Sequence, residues 1–309
     1  MKKMRIPLLI ALGVAVIGII LGSFLDLNLS QAIASPTNYF ALTVSAIGPT
    51  LGFAAVAIMG GGFIAFAVKG KYHIGLKILF IVLAAACYFV AIWYPASEYF
   101  GINGFYGAAP EWAGYLIVAV PEAAAVVGGY FIFKDNQNKN LWIVFLIMVA
   151  LLLIVLLGAI NILKGILHRP RFRLISAEGV TISFHQWWEP CKNYEELKEL
   201  YHTDSDNFKS FPSGHTAEAA IAIVPITFLP LAHKRYQKIQ MPAFLGACAL
   251  VLLVALARIM AAAHFLSDVS FGALLMITFL FIANEVVTNF KALQLKEEEP
   301  APTPEAEQQ

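Results

Sequence analysis

The chain has 309 residues, of which 59% are hydrophobic and only 13% charged, with a formal net charge of +1 and a mean hydropathy of +0.72. A soluble domain carries about 25% charged residues, so a water-soluble globular protein is excluded, and the near-zero charge gives no basis for nucleic-acid binding. Cys87 and Cys248 lie in apolar runs and Cys191 stands alone in a polar loop, so neither a disulfide framework nor a metal knuckle is indicated.

Apolar runs of about 20 residues read as membrane-spanning helices. Eight are expected here, at roughly 6–25, 41–68, 75–95, 113–133, 141–163, 214–232, 242–262 and 265–288. The fold class is therefore all-α, a polytopic membrane helix bundle. The first run follows Met1-Lys2-Lys3-Met4-Arg5, and Ala32-Ile33-Ala34 resembles a signal-peptidase site. The run is long for a signal segment and the Ala-x-Ala lies well past its end, so an uncleaved first helix is expected.

Placing the N-terminus inside puts Lys69, Lys71, Lys77, Lys134, Lys139, Lys234, Arg235, Lys238, Lys291 and Lys296 inside as well. The outer loops at 26–40 and 96–112 then hold no Lys or Arg. The positive-inside rule supports this orientation, with both termini cytoplasmic. Trp93, Tyr94, Tyr99, Trp112 and Tyr115 would form part of an outer aromatic belt. Glu122, in the middle of the fourth span, is expected to be buried against a neighbouring helix, with a place along a substrate path as the alternative.

The outer segment 164–213 is the one sizeable polar region between helices, and loops of this length are usually functional or disordered. It holds Trp187-Trp188, expected to anchor at the interface, and a short charged helix around Tyr194–Tyr201. The chain divides into N-terminal spans (1–140), a core with the outer loop (141–290) and a tail (291–309). The acidic, Pro-rich stretch Glu297–Gln309 of that tail is expected to be disordered. Short loops and a Lys-rich start are in keeping with a bacterial plasma membrane.

Three stretches then demand chemistry: Lys164-x6-Arg171, Pro212-Ser213-Gly214-His215 and Arg258-x5-His264-x3-Asp268. Singly, each has a plain reading. Lys164 could snorkel to the interface, Arg171 beside Arg169 and Arg173 could be a basic patch, and Ser213 could be a helix N-cap. Asp268 is harder to dismiss, because a carboxylate inside a membrane span is costly. Together the plain readings weaken, since hydropathy and charge alone put all three stretches on one face. His264 and Asp268, at i and i+4, would share a helix face. A carboxylate bonded to one ring nitrogen fixes the tautomer and leaves the other as a nucleophile. Ser213, Gly214 and His215 open a helix whose free N–H groups suit a phosphate. Lys164, Arg171 and Arg258 could clamp the oxygens of a transferring phosphoryl group. No Asp-rich cluster or His/Cys ligand set accompanies these cations, so neither a metal nor another cofactor is expected. Glu218, one turn after His215, could tune that histidine or make a plain interface contact. His168, Arg169 and Arg173 could guide anionic head groups or form a solvated patch, and Asp204 and Asp206 read as loop solvation. Pro225 and Pro230 should bend or end the sixth span.

These motifs resemble those of the type 2 phosphatidic acid phosphatase superfamily, which also holds glucose-6-phosphatases and vanadium-dependent haloperoxidases. The family pattern is Lys-x6-Arg-Pro, then Pro-Ser-Gly-His, then Ser-Arg-x5-His-x3-Asp. Here Lys164 and Arg171, Pro212 to His215, and Arg258, His264 and Asp268 match it, over roughly residues 141–290. Phe172 stands where the family has Pro and Ala257 where it has Ser; neither position supplies the chemistry. Eight spans exceed the family's usual six, so the helices before residue 141 carry no inference about substrate. The resemblance implies a metal-independent lipid phosphatase in which His264 is the nucleophile, Asp268 orients it and His215 is the general acid and base. Lys164, Arg171, Ser213, Gly214 and Arg258 would bind phosphate. The expected substrate is a lipid phosphate (phosphatidic acid, phosphatidylglycerol phosphate or a polyprenyl diphosphate of the undecaprenyl type) with its tail among membrane lipids. A sugar phosphate stays open, as do a phosphotransferase on the same residues and a non-catalytic transporter or scaffold. The haloperoxidases are soluble, which argues against that branch.

Overall fold

The computed structural model describes residues 4–99 and 111–293. The expected disorder of Glu297–Gln309 and most of the outer loop 96–112 fall outside those residues. Among the described residues the protein is helical without strands, and eight segments are long and apolar enough to cross a membrane. These are α1 (Arg5–Ile33), α2 (Tyr39–Lys69), α3 (Ile74–Tyr99), α4 (Glu111–Phe133), a composite fifth span, a broken sixth, α11 (Gln237–Met260) and α12 (Leu266–Asn289).

The fifth span runs further than its hydropathy suggests. It begins as α5 (Leu141–Leu153), widens into a π-helical stretch at Ile154–Ala159 and continues as α6 (Ile160–Leu167). Asn161 donates its side-chain amide to the carbonyls of Leu156 and Leu157 at 3.0 and 3.3 Å, serving the loosened turn. Such π turns interrupt α-helices frequently at functional sites. Here the turn sits just before Lys164, which therefore lies within α6, one turn before the left-handed cap at His168 (φ 43°).

The sixth span is broken into α9 (Gly214–Ala220) and α10 (Ile223–Phe228), followed by a 3₁₀ turn at Leu229–Leu231. Pro225 has no N–H for the Ile221 carbonyl and its ring crowds that group. Residues 221, 222 and 224 accordingly make i→i−3 bonds, Val224 donating to Ile221 at 2.9 Å. Pro230 lies in the terminal 3₁₀ turn.

α2 is the most enclosed of the unbroken spans, with α3, α4, α9 and α11 around it. Its Gly52 faces the Glu218 carbonyl of α9; a Cβ there would come within 2.0 Å of that oxygen. Gly272 of α12 meets the other side of α9, where a Cβ would come within 2.2 Å of the Ser213 carbonyl. Both helices thus reach backbone contact with α9 only because a side chain is missing. α1 lies along α12.

The cation-bearing connections gather at one end. Tyr72 donates to the Lys139 carbonyl at 2.7 Å and Asn138 to the Leu293 carbonyl at 2.7 Å, while the Gln137 amide donates to Ala232 at 3.1 Å. The ends of α1, α6 and α11 and the starts of α2, α9 and α12 gather at the other end with the loop 168–213. Within that loop, α7 (Phe172–Ile175) and α8 (Tyr194–Leu200) enclose a small apolar cluster of Leu174, Ile182, Cys191 and Phe208.

Candidate active site

Two stretches of the outer loop lie side by side and carry the first two motifs. The Arg171 amide donates to the Asn207 carbonyl at 2.8 Å, and the Ser210 amide to the Arg169 carbonyl at 3.0 Å. The Arg173 amide reaches the Ala262 carbonyl at 2.9 Å, tying the same loop to the turn between α11 and α12. In that turn the Arg258 carbonyl accepts the Ala263 and His264 amides at 3.1 and 3.3 Å, and Ala262 takes φ +55°. The structure therefore brings all three motifs to one place.

His264 is buried and its Nδ1 lies 2.6 Å from the Ser210 carbonyl oxygen. A carbonyl can only accept, so Nδ1 carries the hydrogen and Nε2 holds the lone pair. Nε2 lies 3.5 Å from Arg171 Nη1. Burial first, then Arg171, Arg258 and Lys164, hold the His264 imidazole well below the usual range, in its neutral form. The expectation that Asp268 fixes this tautomer from one turn along a helix is corrected. His264 precedes the N-cap Phe265, off the helix, and Asp268 Oδ2 is 3.8 Å from Nδ1, beyond hydrogen-bond reach.

Asp268 is instead held by other partners. Its Oδ2 accepts from the Phe265 amide at 2.8 Å, as an N3 carboxylate does in a capping box, and from Ser210 Oγ at 2.5 Å. Its Oδ1 accepts from Arg169 Nη1. Ser210 thus links the two residues, with its carbonyl on His264 and its hydroxyl on Asp268.

Arg171 is splayed by its partners. Nε donates to the Asp206 carbonyl at 2.8 Å, Nη2 to Asp206 Oδ1 at 2.8 Å and Nη1 to the Ala263 carbonyl at 3.2 Å. Asp206 also binds Arg173 at 2.8 Å, so it is a clamp on two arginines and not loop solvation. Its own burial acts to raise its carboxyl, but Arg171, Arg173 and Lys164 outweigh that and hold it at about 2.

Ser213 caps α9, its Oγ accepting from the Thr216 amide at 3.4 Å and the Thr216 hydroxyl at 3.1 Å. Its own hydroxyl hydrogen is left to donate outward. At Gly214, the space a Cβ would fill lies 3.5 Å from Lys164 Nζ and 3.3 Å from Glu218 Oε1. The His215 and His264 rings are 6.4 Å apart, centre to centre. Arg258 acts electrostatically on both histidines and on Lys164. A pocket of three cations, a serine hydroxyl and two imidazoles can hold and transfer a phosphoryl group.

Residues 140–292 match the family described as the PAP2 superfamily. The chain belongs to the PAP2 superfamily. No curated protein and no solved structure matches it. With its eight apolar spans, this PAP2 member is an integral membrane protein of phosphatase type. The matched stretch begins at the foot of α5 and ends after α12, so α1 to α4 lie outside it.

Several neighbours of this PAP2 site are absent from its sequence motifs. Arg169 belongs neither to a head-group guide nor to a solvated patch; its side chain is fully buried between Asp26 of α1 and Asp268. Asp26 lies just past the expected end of the first span, where a carboxylate reads as ordinary loop, and only the continuation of α1 to Ile33 places it in a helix. The Ser210 carbonyl carried no signal, because a main-chain atom has no residue type. Tyr94, expected in the outer belt, turns inward and donates to Glu218 Oε1 at 3.1 Å, whereas Trp93 stays exposed. His168 stacks on Tyr194 at 3.5 Å. Trp187 packs on Phe211 and Phe271 and donates to Ser23, leaving Trp188 exposed. Glu122 is buried, with Oε2 making no hydrogen bond among the described residues.

Proposed function

We propose that the protein is a lipid phosphatase that removes phosphate from a lipid phosphomonoester or a polyprenyl diphosphate through a phosphohistidine on His264. The observation that carries this reading is the 2.6 Å contact between His264 Nδ1 and the Ser210 carbonyl, which leaves a neutral Nε2 beside Arg171.

The Nε2 lone pair attacks phosphorus as the P–O bond to the leaving group breaks. His215, which takes up a proton with the anionic substrate bound, gives it to the departing oxygen, and the lipid alcohol leaves, or the lipid monophosphate where the substrate is a diphosphate. His264 is then a phosphorylated cation, still donating Nδ1–H to Ser210. Water attacks phosphorus next, losing a proton to His215 as the P–N bond breaks, which restores both histidines and releases phosphate. Lys164, Arg171, Arg258, the Ser213 hydroxyl and the Gly214 amide hold the phosphoryl oxygens, whose charge spreads in the transition state. Asp268 holds the turn that carries His264 and adds negative charge near it.

The site sits at the membrane end opposite the lysine-rich connections. The positive-inside rule then puts it on the extracytoplasmic face, with the described ends of the chain at the cytoplasmic side. A site at that boundary suits a substrate whose tail stays in the bilayer.

Phosphate release in detergent tests this reading, comparing wild type with His264→Ala on phosphatidic acid, phosphatidylglycerol phosphate, a polyprenyl diphosphate and glucose 6-phosphate. Release by wild type alone is expected. Equal release by both proteins would remove His264 as nucleophile. No release from any substrate would turn the reading to transfer, with acceptor lipids as the next assay.

A further inference from the structure

We propose that Asp26, on the first helix and outside the stretch that matches the family, is a positioning residue of the active site, acting through Arg169 on Asp268 and the His264 turn. This inference rests on the phosphatase reading of the site.

The observations form a chain. Asp26, Arg169 and Asp268 are 1%, 1% and 0% exposed. Arg169 Nη2 donates to Asp26 Oδ2 at 2.9 Å, and Nη1 bridges Asp268 Oδ1 and the Ser267 hydroxyl. Nε donates to the His185 carbonyl at 2.9 Å, and the guanidinium lies over the Phe265 ring at 4.3 Å. Asp26 holds the first turn of α12 directly as well. Its Oδ1 accepts from the Ser267 amide at 2.9 Å and its Oδ2 from the Ser267 hydroxyl. One turn earlier, Gly22 lets α1 approach, since a Cβ there would meet the Ser267 nitrogen at 2.6 Å. Asp26 therefore sets both the guanidinium that pins Asp268 and the backbone from which Asp268 projects.

The charges explain why a second carboxylate is present. One carboxylate would already balance one buried guanidinium, and a further buried charge is costly unless it serves a purpose. With both carboxylates ionised against Arg169, the trio of Asp26, Arg169 and Asp268 carries one net negative charge. The turn they hold bears His264, on whose other side stand Lys164, Arg171 and Arg258. Phosphorylation puts a positive charge on the His264 ring while those cations hold the phosphoryl oxygens, and the surplus negative charge favours the charged ring. With Asp26 neutral, Arg169 cancels Asp268 and the surplus is gone. The first helix is in this way part of the catalytic machinery and not only a membrane support.

The test compares Asp26→Asn, Asp26→Glu and Ser23→Ala with wild type in detergent. Ser23 is a control on the same helix, whose hydroxyl accepts from Trp187 Nε1 at 3.0 Å and carries no charge. The expected result for Asp26→Asn is a kcat lower by roughly 10- to 100-fold, with KM and inhibition by inorganic phosphate within about 3-fold of wild type. Asp26→Glu should recover part of kcat and Ser23→Ala nearly all of it. Wild-type kcat in Asp26→Asn, or an equal loss in Ser23→Ala, would overturn the proposal. If Asp26→Asn does not fold, Asp26→Glu carries the same readout, with reduced kcat at unchanged KM expected and wild-type kcat overturning. A second readout needs no turnover: the melting temperatures of Asp26→Asn, Asp268→Asn and the double variant. The two losses should be less than additive, because both residues act through Arg169; additive losses would overturn the coupling. Should wild type release phosphate from no substrate, the phosphatase reading fails and the melting cycle still judges the link.

Discussion

The main-chain carbonyl of Ser210 accepts a 2.6 Å hydrogen bond from His264 Nδ1, so a backbone atom selects the tautomer of the proposed nucleophile. In the proposed mechanism, removing the imidazole removes the group that takes the phosphoryl. His264→Ala should lose at least about 10³-fold in kcat while the cations still bind the ground state. Turnover of a fluorogenic phosphate and binding of inorganic phosphate by calorimetry check this together. Loss of both would mean that the site itself had collapsed.

Asp206 gives a pH signature. Its folded value of about 2 lies below the ordinary 3.8, so its contribution to stability is fully present above the unfolded value. That contribution is lost as pH falls from near 4 towards 2. Its side chain is 51% exposed, so solvent screens part of the gain. Asp206→Asn should flatten this portion of the melting-temperature profile. It should also raise KM about 2- to 5-fold, as Arg171 loses one anchor. An unchanged acid profile would show that the pair adds nothing to stability.

The sequence made the spans and the site legible to different depths. Eight apolar runs were enough for eight crossings, because length and hydropathy alone decide burial in lipid. Lys164, Arg171, Ser213, Gly214, His215, Arg258, His264 and Asp268 stood out because charged and capping residues beside apolar runs are rare. What holds them was less legible. His264 and Asp268 looked like a helical pair, but the helix starts at Leu266 and the spacing does not apply. The clamp of Asp206 on Arg171 joins residues 35 apart, and that of Asp26 on Arg169 joins residues 143 apart. No local pattern encodes either contact. The fifth span was also expected to stop short, before the charge of Lys164, although the helix continues through it to Leu167.

Gly214 separates Lys164 from Glu218. A Cβ there would sit 3.5 Å from Lys164 Nζ and 3.3 Å from Glu218 Oε1, a tight but tolerable fit for the protein. It would fill the space a phosphoryl oxygen needs to meet the amide. Gly214→Ala should therefore leave the melting temperature within about 2 °C and weaken vanadate inhibition by roughly 10-fold or more. A variant with wild-type vanadate affinity would place the phosphate elsewhere.

Gly272 has a different role, holding α12 against the start of α9. A Cβ on Gly272 would approach the Ser213 carbonyl to 2.2 Å and its carbon to 3.2 Å, and main-chain atoms cannot swing aside as a flexible side chain can. The same Ser213 donates its amide to the Asp268 carbonyl at 3.0 Å, so pushing the helices apart strains the bond that fixes the second motif against the third. Gly272→Ala should cost about 1–3 kcal/mol, the usual penalty for overpacking, and should lower kcat and stability together. Thermal unfolding in detergent beside phosphate release separates this from Gly214→Ala, where affinity falls and stability does not. If Gly272→Ala melts with wild type, α12 can move away from α9 without loss, and the contact does not set the site.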